Sequence, residues 1–261
     1  SKTITSVVIE PGVSTTWARY MFYYCTNLVT ADLSGLDTSN VTSFFSMFDG
    51  CKKLETVDLS GFQTSKATSM SFMFKHCWKL QELDLSGFDT ANVTSMFEMF
   101  FACETIKSFD LTSFDTKKVE DMRSLFRGCT RLESVDLSTF TVPYSTSTSD
   151  FFRDCPNLKR LVLAAGINLV GSALREHVWI DTAGNAYADS NEMLAANAAR
   201  PSGVETFVHP RATEGWTLSG SCEWSIDETE TLILRPLPGL SRGTLESWAG
   251  AAACPWNGAA S

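Results

Sequence analysis

From Leu54 the chain reads Leu-Glu-Thr-Val-Asp-Leu, with apolar residues at 54, 57 and 59 and polar ones between them. Alternation over Val57-Asp58-Leu59 is the two-residue period of a strand, which sends Val57 and Leu59 inward and Asp58 outward. Ser60 and Gly61 then supply a turn, Phe62 returns to the core, and Thr64 and Ser65 offer side-chain oxygens where a helix can begin. Further on, Val93, Met96, Phe100 and Cys103 follow at steps of 3, 4 and 3, the stripe of one helical face. The pattern predicts a unit of strand, turn and short helix.

This unit recurs. Cys25, Cys51, Cys77, Cys103, Cys129 and Cys155 are each 26 residues apart, as are Phe22, Phe48, Phe74, Phe100, Phe126 and Phe152. Asp32, Asp58, Asp84, Asp110 and Asp136 keep the step, and so do the leucines from Leu33 to Leu163. No unit of this size buries its apolar side alone, so the coils must stack. Leu54-x-x-Val57-x-Leu59 is the core pattern of a leucine-rich repeat. The expected fold is therefore α/β: a leucine-rich-repeat solenoid, with a parallel sheet on one face and short helices on the other, then a small α+β or β C-terminal region. About six 26-residue coils fill residues 1–165, a capping region 166–215, and a small β segment 216–261. In the capping region EHVWIDTAGNAYAD predicts two short strands around a turn, Ser190 is placed to cap the helix NEMLAANAA, and VETFVHP reads as a strand. SGSCEWSIDETETLILRPLPG predicts a further pair of strands.

The recurring LDLSGFDTANVTSMFEMFFAC, with the Asp-x-Ser turn, N-V-T and Met-Phe in register, resembles the BspA-type leucine-rich repeats of bacterial surface proteins, a Mycoplasma-lipoprotein-type repeat. The likeness covers residues 20–163. It departs late: Leu125 and Phe151 replace Met, Val162 ends the aspartate column, and TVPYSTSTSD replaces the helix start, so the sixth coil is expected to be irregular. The resemblance implies a secreted or wall-attached bacterial protein, often modular, that adheres to host molecules. In such proteins a W-x-I-D…L-x-I…PW segment precedes the first coil, so residues 216–261 either lead into a next module or pack here as a small β unit. Cys222 and Cys254 lie outside the cysteine register, and in an extracellular setting they are expected to form one disulfide.

Charge narrows the partners. With 21 basic and 30 acidic residues the net charge is −9, which disfavours nucleic acid and anionic membranes. No stretch reaches the roughly 18 apolar residues of a membrane span, and SKTITSVVIEPGV has neither the basic start nor the apolar run of a signal peptide. The chain reads as a fragment of a longer protein.

The periodic cysteines have no Cys-x-x-Cys pair, and His76, His177 and His209 fall off their register, which argues against a metal site. Neighbouring coils hold equivalent residues about 4.8 Å apart with parallel side chains, a poor geometry for disulfides. Buried thiols used as small hydrophobes fit best. The outward column Asp32, Asp58, Asp84, Asp110 and Asp136 repels itself, so either hydrogen bonds from Ser, Thr and backbone N–H groups satisfy it, or it draws a basic partner or cations. Positions that vary within the period bring Phe45, Phe97, Phe101 and Trp78 to the helix side, as an apolar contact patch or as rings folded back over the coil edges. No Gly-x-Ser-x-Gly, phosphate loop or His-Glu-x-x-His occurs. We therefore expect no catalytic residue, cofactor or metal, and a binding module for a host extracellular protein or glycan, with a structural spacer as the alternative.

Overall fold

The computed structural model describes residues 3–143, 145–175, 178–209, 217–219, 222–226 and 232–236. The chain divides into two compact units, Ser1–Arg175 with Leu194–Glu205, and Glu176–Met193 with Thr206–Ser261.

The first unit is a solenoid whose six coils each end on one of the periodic cysteines. β1 (Ser6–Val8) and β2 (Val13–Ser14) belong to the first coil, β3 (Thr30–Asp32) and β4 (Leu36–Asp37) to the second, and β5 (Thr56–Asp58) to the third. β6 (Ser108–Phe109), β7 (Ser134–Leu137) and β8 (Arg160–Ala164) follow from the fifth coil onward. Pairing is parallel and in the expected register, with Asp32 opposite Asp58 and Val135 opposite Leu161. Ala31, Leu33, Val135 and Leu137 are buried, as the alternation predicts.

Beyond the second corner the expected helix does not form. Ser46, Phe48 and Gly50 donate their N–H groups to the carbonyls of Ser71, Met73 and Lys75 in the next coil, at 2.9–3.0 Å. The residues between, Met47, Asp49 and Cys51, donate to carbonyls three positions back in their own coil. The segment is thus a string of turns cross-bonded to its neighbours, and it needs two left-handed residues per coil. These are Tyr20 and Tyr24, Ser46 and Gly50, Phe72 and His76, Glu98 and Ala102, Ser124 and Gly128, Asp150 and Asp154, with φ between 52° and 81°. A non-glycine residue there costs about 1–2 kcal/mol, which is offset where alternate N–H groups bond the next coil and those between bond their own. Val93, Met96, Phe100 and Cys103 are fully buried all the same. The 3, 4, 3 spacing marks an inward face correctly, but consecutive turns produce that face as well as a helix does. The α/β description with a helix in each coil is corrected accordingly: the solenoid is built of strands and turns.

Side chains close the coils in three columns. Thr38, Thr64, Thr90 and Thr116 are buried, and each hydroxyl donates to a carbonyl of the next coil and accepts that residue's N–H. For Thr90 the partner is Asp115, at 2.9 and 2.8 Å. The rings of Phe22, Phe48, Phe74, Phe100, Phe126 and Phe152 stack nearly parallel, with centroids 5.3–6.1 Å apart. The cysteines from Cys51 to Cys155 point their thiols at the carbonyl of the phenylalanine one coil earlier, Cys103 Sγ lying 3.3 Å from Phe74 O. Cys25, Cys51, Cys77, Cys103, Cys129 and Cys155 are free thiols. Burial pushes the Cys51 and Cys155 thiols up to about 12, and those of Cys77, Cys103 and Cys129 well above their ordinary range. The sixth coil carries Val142 in the threonine register, yet Ser124, Phe126 and Gly128 still bond to Ser149, Phe151 and Arg153.

In the second unit β9 (Trp179–Ile180) and β10 (Ala186–Tyr187) form the expected antiparallel pair. Asp181 closes their turn by accepting the N–H groups of Ala183 and Asn185, the Asn185 amide and the Tyr187 hydroxyl at 2.8–3.0 Å. Among the described residues the one helix is α1 (Ser190–Ala198), which belongs to this unit up to Met193 and to the first from Leu194. Its cap is Asp189, whose carboxylate accepts the Glu192 N–H at 2.8 Å. Ser190, expected in that role, instead accepts the indole N–H of buried Trp179 at 2.9 Å. β11 (Val204–Val208) follows, its first two residues in the first unit, then the antiparallel strands β12 (Thr217–Ser219), β13 (Cys222–Ile226) and β14 (Leu232–Pro236). Of the expected Cys222–Cys254 disulfide, Cys254 lies outside the described residues.

Candidate functional site

The aspartate column is occupied by its own turns. Asp32, Asp58, Asp84, Asp110 and Asp136 each accept, through Oδ1, the N–H two residues on, at 2.8–3.1 Å. Asp32 and Asp110 also take the hydroxyls of Ser34 and Thr112, at 2.6 and 2.7 Å. Hydrogen bonds from the Ser34, Ser86 and Thr112 side chains, then from their N–H groups, hold Asp32, Asp84 and Asp110 below the usual carboxylate range. Each carboxylate thus caps a tight turn.

On the turn side the four aromatic residues singled out by their variability fall into two groups. Phe45 and Phe97 belong to one stripe, Tyr20–Phe45–Phe72–Phe97, with edge-on ring contacts at 5.4, 5.1 and 4.9 Å. Arg19 lies over Phe45 at 5.0 Å and Arg123 over Phe97 at 4.8 Å, so a guanidinium flanks each end. Trp78 and Phe101 meet through His76, at 6.4 and 5.3 Å. Lys52 sits over Trp78, while Lys75 and Arg127 lie over Phe101. Lys75 pairs with Glu98, and Arg127 lies 3.6 Å from both Asp150 and Asp154. Phe45, Phe72, Phe97 and Phe101 are half-buried and Trp78 is exposed. The rings cover the coil edges and stay half-exposed, beside cations that are mostly ion-paired, Arg123 bonding Asp121 at 2.7 and 2.9 Å.

The sheet side holds a feature with no counterpart in the repeat pattern. The parallel ladder β1–β3–β5 stops at the third coil, the fourth coil has no strand, and the ladder resumes at β6. The position that is Ala31 and Val57 in the earlier coils becomes Leu83 and then Phe109, whose ring wedges between Phe100 and Phe126 at 4.4 and 5.2 Å. A cleft of about 820 Å³ opens there, lined by Lys79, Lys107, Arg131, Glu55, Glu82 and Asp110 among others. Of the residues expected to bind a partner, Asp110 alone reaches it. Among the described residues no group of His, Cys, Asp and Glu is placed to hold a metal ion.

A family model described as "Mycoplasma protein of unknown function, DUF285" matches residues 13–109 and 81–164, more than half of the chain. The chain belongs to this family. No curated protein and no solved structure matches it. The DUF285 matches span every periodic cysteine, the four threonines of the buried column, the aromatic stripe and the cleft. What lies inside a DUF285 coil follows the period and was readable as such. Its outer surface departs from the period, and there Tyr20, Phe72 and the three basic cleft residues escaped the sequence. The available signal was the alternation of aromatic residues between adjacent registers, Tyr20, Phe45, Phe72 and Phe97, which a search for fixed 26-residue columns passes over.

Proposed function

We propose that the chain is a bacterial cell-surface binding module, recognising a host or neighbouring-cell macromolecule, an extracellular protein or glycan, in adhesion. The observation that carries the reading is the stripe Tyr20–Phe45–Phe72–Phe97 with Arg19 and Arg123 at its flanks. Aromatic and arginine side chains dominate interface energetics. They stand on backbone bonded coil to coil, so little ordering entropy is lost on docking. The resemblance to BspA-type repeats supports the extracellular placing. A structural spacer is the second reading, favoured by the unbroken turn ladder, which suits a rigid rod. Capture from immobilised host matrix proteins and glycans separates the two. Binding that falls at least about tenfold in Phe97→Ala/Arg123→Ala, about 1.4 kcal/mol or more, and persists in Lys107→Ala/Arg131→Ala supports the stripe. Capture that the double variant leaves unchanged rejects the stripe as the site, and no capture at micromolar concentration favours the spacer.

A further inference from the structure

The cleft on the sheet side is a break in the backbone bonds between the fourth and fifth coils. Four residues after a cysteine the chain bonds back one coil: Glu55, Gln81, Glu133 and Lys159 donate their N–H groups to the carbonyls of Val29, Glu55, Lys107 and Glu133, at 2.8–3.2 Å. Lys107, which holds that position in the fifth coil, makes no such bond to Gln81. The following N–H reaches the same carbonyl from Thr56, Ser134 and Arg160, at 3.2–3.4 Å, and again Ser108 does not. Two bonds bound the break, from the Thr105 hydroxyl to Trp78 O at 2.7 Å and from the Ser113 hydroxyl to Leu85 O at 3.0 Å. Between them the N–H groups of Lys107 and Ser108 and the carbonyl of Gln81 have no partner among the described residues, and all three residues line the cleft.

Free charges gather at the same place. Among the lysines and arginines whose side chains are described, Lys79, Lys107, Arg131 and Arg160 are the four that hold no ion pair, hydrogen bond or aromatic ring. Three of these four line the cleft, together with Glu55, Glu82 and Asp110. Asp110 spends Oδ1 on its own turn and keeps Oδ2. The charges are also sorted along the coil direction. The cations stand two or four residues after a cysteine, whereas Glu82 and Asp110 stand five and seven after.

We infer that this cleft is a second binding site, independent of the aromatic stripe, and that its ligand is a sugar bearing one carboxylate. Successive N–H groups at an open sheet edge make a concavity for an anion. Lys79, Lys107 and Arg131 supply charge-assisted bonds there, about twice as strong as neutral ones. Toward the other end Glu82 and Asp110 are acceptors for hydroxyl groups. A ligand with one acid group and several hydroxyls satisfies both ends. A polyanion does not, because its further charges meet Glu55, Glu82 and Asp110, and an acidic peptide meets the same repulsion. The volume of about 820 Å³ lies within the range of small-molecule sites.

The test is calorimetric titration of the chain with a disaccharide of one uronic acid and one neutral sugar. Its analogue reduced at the acid to a primary alcohol and triglutamate serve as comparisons, and NMR amide shifts locate the contact. The acidic disaccharide is expected to bind and to move the Lys107 and Ser108 amide signals. Binding of the neutral analogue, and of the acidic disaccharide to Lys107→Ala/Arg131→Ala, is expected to be at least about tenfold weaker. Glu82→Ala is expected to weaken binding as well, and Phe97→Ala/Arg123→Ala to leave it unchanged, which separates this outcome from that of the stripe. Lys107, Arg131 and Glu82 are exposed, so an unchanged melting temperature verifies that the variants fold. Equal affinity for the neutral analogue, parent-like binding by Lys107→Ala/Arg131→Ala, or no binding up to about 10 mM overturns the inference. So does tighter binding of triglutamate, which gives the cleft to an acidic peptide, or tighter binding by Glu82→Ala, which makes it a plain anion site.

Discussion

Thr90 gives the cleanest test of how the coils are held together. Its side chain is 1 % exposed, and its hydroxyl both donates to Asp115 O at 2.9 Å and accepts Asp115 N–H at 2.8 Å. Thr90→Val keeps the volume and removes both bonds. Each bond contributes about 0.5–1.5 kcal/mol net, and each backbone group left dry and unpaired costs about 1–3 kcal/mol. Asp115 is half-buried, so water recovers part of this, and the expected loss is about 2–4 kcal/mol. In a unit of this size that lowers the melting temperature by about 5–15 °C. Thr90→Ser keeps the hydroxyl and gives up one buried methyl group, about 1 kcal/mol. Denaturant titration of the three proteins measures the difference. A valine variant within about 0.5 kcal/mol of the parent, or a serine variant that falls as far as valine, refutes the role given to this column.

Stability is expected to collapse in alkali. Below pH 9 the thiols are protonated in both the folded and unfolded chain, so they contribute nothing pH-dependent. Above it the unfolded chain releases protons that the fold retains, up to about pH 12 at Cys51 and Cys155 and well above the ordinary thiol range at the other three. Each thiol then removes about 1.4 kcal/mol per pH unit, and the five together are expected to unfold the protein within about one to two units above pH 9. Cys103→Ala should flatten that slope by about one fifth; an unaltered slope counts against burial as the cause. The glycines of the first corner should differ sharply. A Cβ at Gly61 would lie 2.0 Å from Ser34 O, whereas one at Gly87 meets nothing within 4 Å. Gly61→Ala is expected to cost about 1–3 kcal/mol or more and Gly87→Ala to be neutral or slightly stabilising. Equal melting temperatures for the two would contradict the closer approach of the early coils at that corner.

What the sequence revealed and what it hid divide along a physical line. Burial is periodic wherever coils repeat, so the cysteine, phenylalanine and leucine columns declare themselves without any knowledge of the backbone between them. The aspartate column was equally legible, because an Asp followed two residues later by Ser or Thr is local turn chemistry, and its hydrogen-bonded reading is the one observed. The turn ladder was not legible, because Val93, Met96, Phe100 and Cys103 have the same inward spacing on a helix as on a string of turns. Gly50 and Gly128, two glycines in one register of a supposed helix, were the contrary signal. The buried threonines were read as helix starts because they precede the ladder by a few residues; their partners lie one coil away, at a distance that local patterns do not register. The cleft lies where Leu83 and Phe109 succeed Ala31 and Val57 and the ladder lapses in the fourth coil, a break that no periodic column announces.

The central claim is that each coil closes through left-handed residues and bonds to its neighbour, with no helix. Gly128 has φ +76°, and a Cβ added there meets Ala102 no closer than 3.5 Å, so substitution tests the backbone without a clash. In a helix interior Gly→Ala would raise stability by about 1 kcal/mol. On this backbone Gly128→Ala is expected to lower it by about 1–2 kcal/mol, as measured by chemical denaturation. A more stable alanine variant would contradict the account.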